Sequence, residues 1–149
     1  MMATGLLCRQ HRRIEQLLRA LRSDDQRRNR LLLDLLGQLT SHLAVEANVL
    51  YPGASRVPGL PLTHAASAHG RVREALYELM SPGISSNAFV ARVDRLSNVF
   101  AAHSVLDESA IYPVLVRHLD VAALGELGDA MASLSAALVA RSRRYIRAA

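Results

Sequence analysis

Apolar and polar positions alternate at helical spacing along almost the whole chain. From about Thr4 to Leu21, His11, Ile14 and Leu18 share one stripe, which predicts a first helix with one buried face. A second helix carries Leu32, Leu35, Leu39, His42, Glu46 and Val49 inward and ends near Pro52-Gly53. It is expected to begin almost at once after the first, because Ser23-Asp-Asp-Gln26 reads as a capping box. The stretch from Gly53 to Pro61 gathers glycine and proline and predicts the long connection. A third helix, roughly Leu62 to Met80, places His69, Val72, Leu76 and Leu79 together, and Ser81-Pro82-Gly83 breaks it. The fourth, about Ser86 to Arg117, aligns Phe89, Val93, Leu96, Phe100, His103 and Asp107.

After Asp120 the sequence turns rich in leucine, alanine and serine, with Leu124, Leu127, Met131, Leu134 and Leu138 on one stripe. This predicts a fifth helix, covering the bundle or a partner subunit and giving a route to a homodimer. No strand pattern competes. The expected fold is therefore all-α, an up-and-down four-helix bundle made of two αα-hairpins plus a C-terminal fifth helix. The expected organisation is one domain over 1–149, with the bundle at about 5–117 and the accessory helix at about 120–146.

The two hairpins repeat one another. His42-Leu-Ala-Val-Glu46 followed by Tyr51-Pro52 recurs as His103-Ser-Val-Leu-Asp107 followed by Tyr112-Pro113, at an offset of 61. Partner helices precede each, opened by His11-Arg-Arg-Ile14 and His69-Gly-Arg-Val72 at an offset of 58. One feature strains the register: with turns near Ser23 and Gly83, His42 and His103 each lie six positions beyond the residue level with their partner histidine. That amounts to about 9 Å of helix.

A separation of four brings two side chains onto one helix face, so His42 with Glu46, and His103 with Asp107, can meet one metal centre. Taken singly, each histidine is better explained as a polar residue on a helix surface. Together that explanation fails, since all four sit on apolar stripes and unpaired buried carboxylates would cost several kcal/mol. Imidazole and carboxylate suit iron, manganese or zinc, whereas thiolate sites would need cysteines that the chain lacks. Four imidazoles and two carboxylates exceed one tetrahedral zinc and match two octahedral metals sharing carboxylate bridges.

Composition removes several other functions. All 18 basic residues are arginine and the formal charge is +5, which invites a nucleic-acid reading. Arg9, Arg12, Arg13, Arg19 and Arg22, however, intersperse with an apolar helical face, and no stacking ladder, recognition motif or zinc finger accompanies them. Nucleic acid is not the expected partner. No uninterrupted apolar run approaches the roughly 20 residues a bilayer crossing needs, so no membrane partner is expected. The start, Met-Met-Ala-Thr-Gly, lacks the pattern of a secretory signal, and Cys8 is alone; both agree with a cytoplasmic location.

His11, His42-x-x-x-Glu46, His69 and His103-x-x-x-Asp107, with the two Tyr-Pro pairs, resemble the hemerythrin-like family of cation-binding four-helix bundles over about residues 5–117. The resemblance implies a non-haem centre of two iron ions, oxo- or hydroxo-bridged, with His11, His42, His69 and His103 as terminal ligands and Glu46 and Asp107 as bridges. Two departures stand out. Oxygen-carrying hemerythrins have a fifth histidine four residues before the one matched by His69, where this chain has Ala65; His64 reaches the site only from a loosely wound first turn, and a surface or capping role is its alternative. Their bridging carboxylate lies five residues after the histidine, which points to Glu108, whereas internal symmetry with Glu46 favours Asp107. His118 lies about 22 Å along the helix from His103, too far to join.

Family members carry oxygen, sense it, repair iron centres or decompose peroxide. Four clear histidines instead of five leave more exchangeable positions on the metals. The expected function is therefore reaction with small oxidants, hydrogen peroxide decomposition or related O2 and NO chemistry. The alternative is non-catalytic: reversible O2 or NO binding, sensing, or iron holding.

Overall fold

The computed structural model describes residues 2–148, and among them only helices occur as regular structure. Helix α1 spans Ala3–Ser23 and α2 spans Arg28–Val45, running on through a π-helical turn, Glu46–Leu50, into α3, Tyr51–Ala54. After the linker come α4, Leu62–Leu79, and α5, Ser86–Leu106. A second π-helical turn, Asp107–Ile111, leads into α6, Tyr112–His118, and α7 covers Val121–Ala148. The architecture is a bundle of two helical hairpins with a C-terminal fifth rod.

Each rod forms because its apolar residues recur every three or four positions. On α1 the buried stripe is Ala3, Leu7, His11, Ile14, Leu18 and Leu21; on α5 it is Phe89, Val93, Leu96, Phe100 and His103. Ser85 caps α5 by accepting the Ala88 N–H at 3.3 Å, and Asp120 does the same for Ala123 of α7 at 2.8 Å. Gly83, at φ 72°, supplies the left-handed residue that the turn before α5 requires.

The capping box expected at Ser23 does not form. Ser23 stays helical as the last residue of α1, and α2 starts at Arg28 with no side-chain cap. Asp24 instead accepts the Arg27 N–H at 3.0 Å and pairs with the Arg27 guanidinium, so the linking turn is built around the aspartate.

The core is divided into two. One apolar cluster, around Ile14, Leu35, Leu39, Val72, Leu96 and Phe100, fills the end of the bundle near the hairpin turns. The other, around Leu7, Val45, Leu50, Ile111, Leu115 and Met131, fills the opposite end. On α1, α2, α4 and α5 the histidine falls where the stripe passes from one cluster to the other. A polar layer is thereby sealed between two dry ones.

Helix α7 packs on α1 and α2. It buries Leu124 and Met131 and half-buries Leu127, Leu134 and Leu138. Gly53 lets α3 come close beneath it, since a Cβ there would stand 2.5 Å from Leu127 Cδ2. The stretches Ser86–His118 and Val121–Arg144 are long and apolar enough by composition to span a bilayer. The first, however, spends its apolar face on the core and carries the buried His103 and Asp107.

Candidate metal centre

His11 from α1, His42 from α2, Glu46 from the first π-helical turn, His103 from α5 and Asp107 from the second point one potential ligand atom each into a space where all lie within 4.8 Å of one another. All five are fully buried. The nearest approaches are His42 Nε2 to His103 Nε2 at 2.9 Å, His103 Nε2 to Asp107 Oδ2 at 3.2 Å and His103 Nε2 to Glu46 Oε2 at 3.4 Å. His11 Nε2 stands 3.6 Å from Asp107 Oδ2. His69 approaches from α4 and reaches the cluster through Glu46, its Nε2 2.9 Å from Oε2.

The register problem set by the sequence eases in the first hairpin and persists in the second. His11 lies twelve residues before the end of α1 and His42 fourteen after the start of α2, so the first hairpin is nearly level. In the second, His69 is ten residues from the end of α4 and His103 seventeen into α5. Side chains tilt toward the N-terminus of their own helix, so those on antiparallel helices lean toward each other and shorten that gap.

Both carboxylates begin a π-helical turn. The N–H of Tyr51 bonds back five residues to Glu46 O, and that of Tyr112 to Asp107 O. A proline follows each tyrosine, and its ring would crowd the carbonyl four residues back in an α-helix. The wider turn relieves that crowding and swings each tyrosine onto the face of its carboxylate, which α-helical geometry would put about 140° away. Tyr51 Oη thus donates to Glu46 Oε2 at 3.4 Å and lies 3.1 Å from His69 Nε2. Tyr112 Oη donates to Glu46 Oε1 at 3.1 Å and to Asp107 Oδ2 at 3.4 Å.

Outside this layer, two side chains fix imidazoles. Glu108 turns away from the cage, accepts from His11 Nδ1 at 2.9 Å and is gripped by Arg12, whose Nη2 donates at 2.9 Å. Gln10 Oε1 accepts from His42 Nδ1 at 3.0 Å. Both arrangements put the proton on Nδ1 and leave the Nε2 lone pair facing inward, the form in which histidine binds metals.

Burial shapes the protonation of the layer. It holds His69 and His103 down to about 4 against the pull of Asp107, and pushes His42 well below its ordinary value with help from His11 and the other imidazoles. Burial, then the charge of Asp107, drives Glu46 well above the usual carboxylate range. The phenols of Tyr51 and Tyr112 are raised by burial and by Glu46 and Asp107, so both stay protonated donors. Burial pushes Glu108 up too, but the hydrogen bond from His11 and the Arg12 charge outweigh it and leave Glu108 below its ordinary value.

A cation suits this donor set. His11 Nε2 and Asp107 Oδ1 are buried with no hydrogen-bond partner, and neutral imidazole lone pairs converge on two carboxylates that repel one another. Of the remaining residues singled out in the sequence, His64 is exposed on the first turn of α4, outside the cluster. His118 is exposed as well, with Nδ1 on Val114 O at 2.9 Å. The sequence reading missed Tyr51, Tyr112 and Gln10 as site residues; the tyrosines were legible only as the repeated Tyr-Pro pair, and Gln10 gave no signal.

Helices that close a buried imidazole–carboxylate layer between two apolar cores define a cation-binding bundle. The sequence profile described as the hemerythrin HHE cation-binding domain matches residues 2–115, and the chain belongs to that family. A solved structure, that of a hemerythrin HHE cation-binding domain-containing protein from Mycobacterium kansasii, is similar with a TM-score of 0.83 and 24% sequence identity. The similarity covers 99% of this chain and 93% of that one, and it bears on the fold. No curated protein matches the chain.

Proposed function

We propose that the protein holds two iron ions, with His11, His42, His69 and His103 as terminal ligands and Glu46 and Asp107 as bridges, and that it decomposes hydrogen peroxide. The observation that carries this reading is the buried set of five ligand atoms within 4.8 Å, with His69 joined through Glu46. Each carboxylate meets more than one imidazole: Glu46 Oε2 faces His42, His69 and His103, Asp107 Oδ2 faces His11 and His103, and His103 is common to both. That distribution supports bridging. Six protein ligands cannot fill two octahedral metals, and the positions left over suit a small exchangeable molecule.

Held by these six side chains, two iron ions would supply a two-electron couple suited to taking two molecules of hydrogen peroxide to two of water and one of dioxygen. The protein's own part is to keep water and larger molecules out with the two apolar cores, and to hold the bridging carboxylates in place through the Tyr51 and Tyr112 hydroxyls. The expected setting is the cytoplasm, with small molecules as partners.

The depth of the cage favours a second reading, reversible binding of O2 or NO, or plain holding of iron, because its five deepest ligands have no solvent contact. Turnover separates the two. Protein from iron-replete expression is expected to carry about two irons per chain, to absorb in the near ultraviolet by charge transfer, and to evolve oxygen continuously from added peroxide. Stoichiometric bleaching without turnover supports the second reading, and a single zinc or no metal overturns both.

A further inference from the structure

We infer that α7 completes the metal centre: Ser135 orients the Gln10 carboxamide, and Gln10 in turn holds His42 with its Nε2 lone pair toward the cage. The inference rests on His42 being a ligand and extends that reading to a helix beyond the 2–115 segment matched by the family profile.

A carboxamide can face an imidazole in either of two ways. With its oxygen toward Nδ1 it accepts a proton there and leaves Nε2 free to ligate; turned over, its NH2 donates to Nδ1 and drives the proton onto Nε2, which cannot then bind a metal. Something must choose between them. Gln10 Oε1 lies 3.0 Å from His42 Nδ1, and its other end donates from Nε2 to Ser135 Oγ at 3.1 Å. Ser135 Oγ also lies 3.0 Å from Ser41 Oγ, one residue from His42. When the Ser135 hydroxyl gives its proton to Ser41, its lone pairs face Gln10 and accept the carboxamide NH2. The turned-over amide would set its oxygen against those lone pairs. With Ser135 donating to Ser41 the chain Ser41–Ser135–Gln10–His42 runs in one direction; with Ser41 as the donor, the Ser135 hydroxyl would be free to donate to a turned-over amide oxygen, so the tautomer of His42 is the observable that tells the two apart.

Its parts come from three helices: Ser41 and His42 from α2, Gln10 from α1 and Ser135 from α7. Helix α7 packs on the two others, so its seating fixes the position of Ser135. Gln10 is a positioning residue, and α7 acts on the site through it.

Two measurements test this. In metal-free protein, two-bond nitrogen–proton correlation spectra read the His42 tautomer directly. Wild type is expected to carry the proton on Nδ1, Gln10→Ala to shift it substantially to Nε2, Ser135→Ala to give a mixture, and Gln10→Glu, which still accepts from Nδ1, to restore the wild-type form. In iron-loaded protein, release to a chelator should quicken by about tenfold or more in Gln10→Ala, and less in Ser135→Ala. Wild-type tautomer and release in both alanine variants would overturn the inference. A change in Gln10→Ala with none in Ser135→Ala would remove α7 from it. Wild-type protein that takes up no iron while Gln10→Ala still moves the proton would sink the di-iron reading, and with it the part of α7 in a metal centre, and leave only the control of the His42 tautomer by Gln10.

Discussion

Tyr112 and Glu46 meet across the bundle, the phenol of one donating to Oε1 of the other at 3.1 Å, although 66 positions separate them in the chain. The same hydroxyl lies 3.4 Å from Asp107 Oδ2, so one proton donor serves both of the carboxylates that enter the polar layer. The contact exists because the π-helical turn at Asp107–Ile111 rotates Tyr112 inward. Removing the hydroxyl leaves two buried carboxylate oxygens short of a donor while every proposed ligand stays in place. Tyr112→Phe is therefore expected to cost about 1–3 kcal/mol of stability and to retain iron. Thermal unfolding and iron content of the same preparation check it; loss of all iron would make the tyrosine more than a donor.

Phe100 is the floor of the cage on the side of the hairpin turns. It is fully buried, and its ring lies edge-on to His11 at 5.7 Å and to His42 at 6.0 Å between centroids. Phe100→Ala should cost about 3–5 kcal/mol by opening a cavity there. Phe100→Leu should cost less and keep the fold, yet admit larger molecules to the imidazoles. Denaturant unfolding gives the first number, and inactivation by bulky chelators, faster in the leucine variant than in wild type, checks the second.

The ligand assignment itself predicts that Glu46→Ala and His103→Ala lose iron. Each removes a donor and strands the remaining groups of a buried layer without their counter-charge. Iron per chain should fall well below that of wild type, and the melting temperature should lose its dependence on added iron. Full iron with unchanged melting in both variants would refute the assignment.

The fold was open to reading because helical stripes report burial directly, and the doubled His-x-x-x-acid pattern marked where both hairpins put polar groups on apolar faces. Ser23 to Gln26 misled because a capping box requires its serine to leave the helix, and Asp24 offered the chain a competing turn. The hydroxyls of Tyr51 and Tyr112 were hidden for a different reason. In ideal helix geometry a residue five places on faces elsewhere, and only the proline after each tyrosine hinted at a wider turn. Gln10 on His42, and Glu108 on His11, are contacts between different helices. Such pairs are fixed by how rods pack, and a single helix's period carries no information about them.

The acidic pair Asp107-Glu108 is where spacing and symmetry pointed in opposite directions. Asp107 faces inward, with Oδ2 3.2 Å from His103 Nε2 and Oδ1 without a hydrogen-bond partner. Glu108 faces outward, taking the His11 Nδ1 proton and pairing with Arg12. The four-residue spacing from His103 stays α-helical because the π-helical turn begins only at Asp107, so the shorter aspartate keeps the inward direction and the glutamate is carried past it. Asp107→Ala is expected to lose most of the iron together with any peroxide reactivity. Glu108→Ala should keep its iron but release it to a chelator faster, by about tenfold, because His11 loses the acceptor that fixes its tautomer. Iron content measured on the two variants side by side decides the matter. Iron retained in Asp107→Ala and lost in Glu108→Ala would mean that metal binding turns this segment of helix, exchanging the two carboxylates between cage and surface.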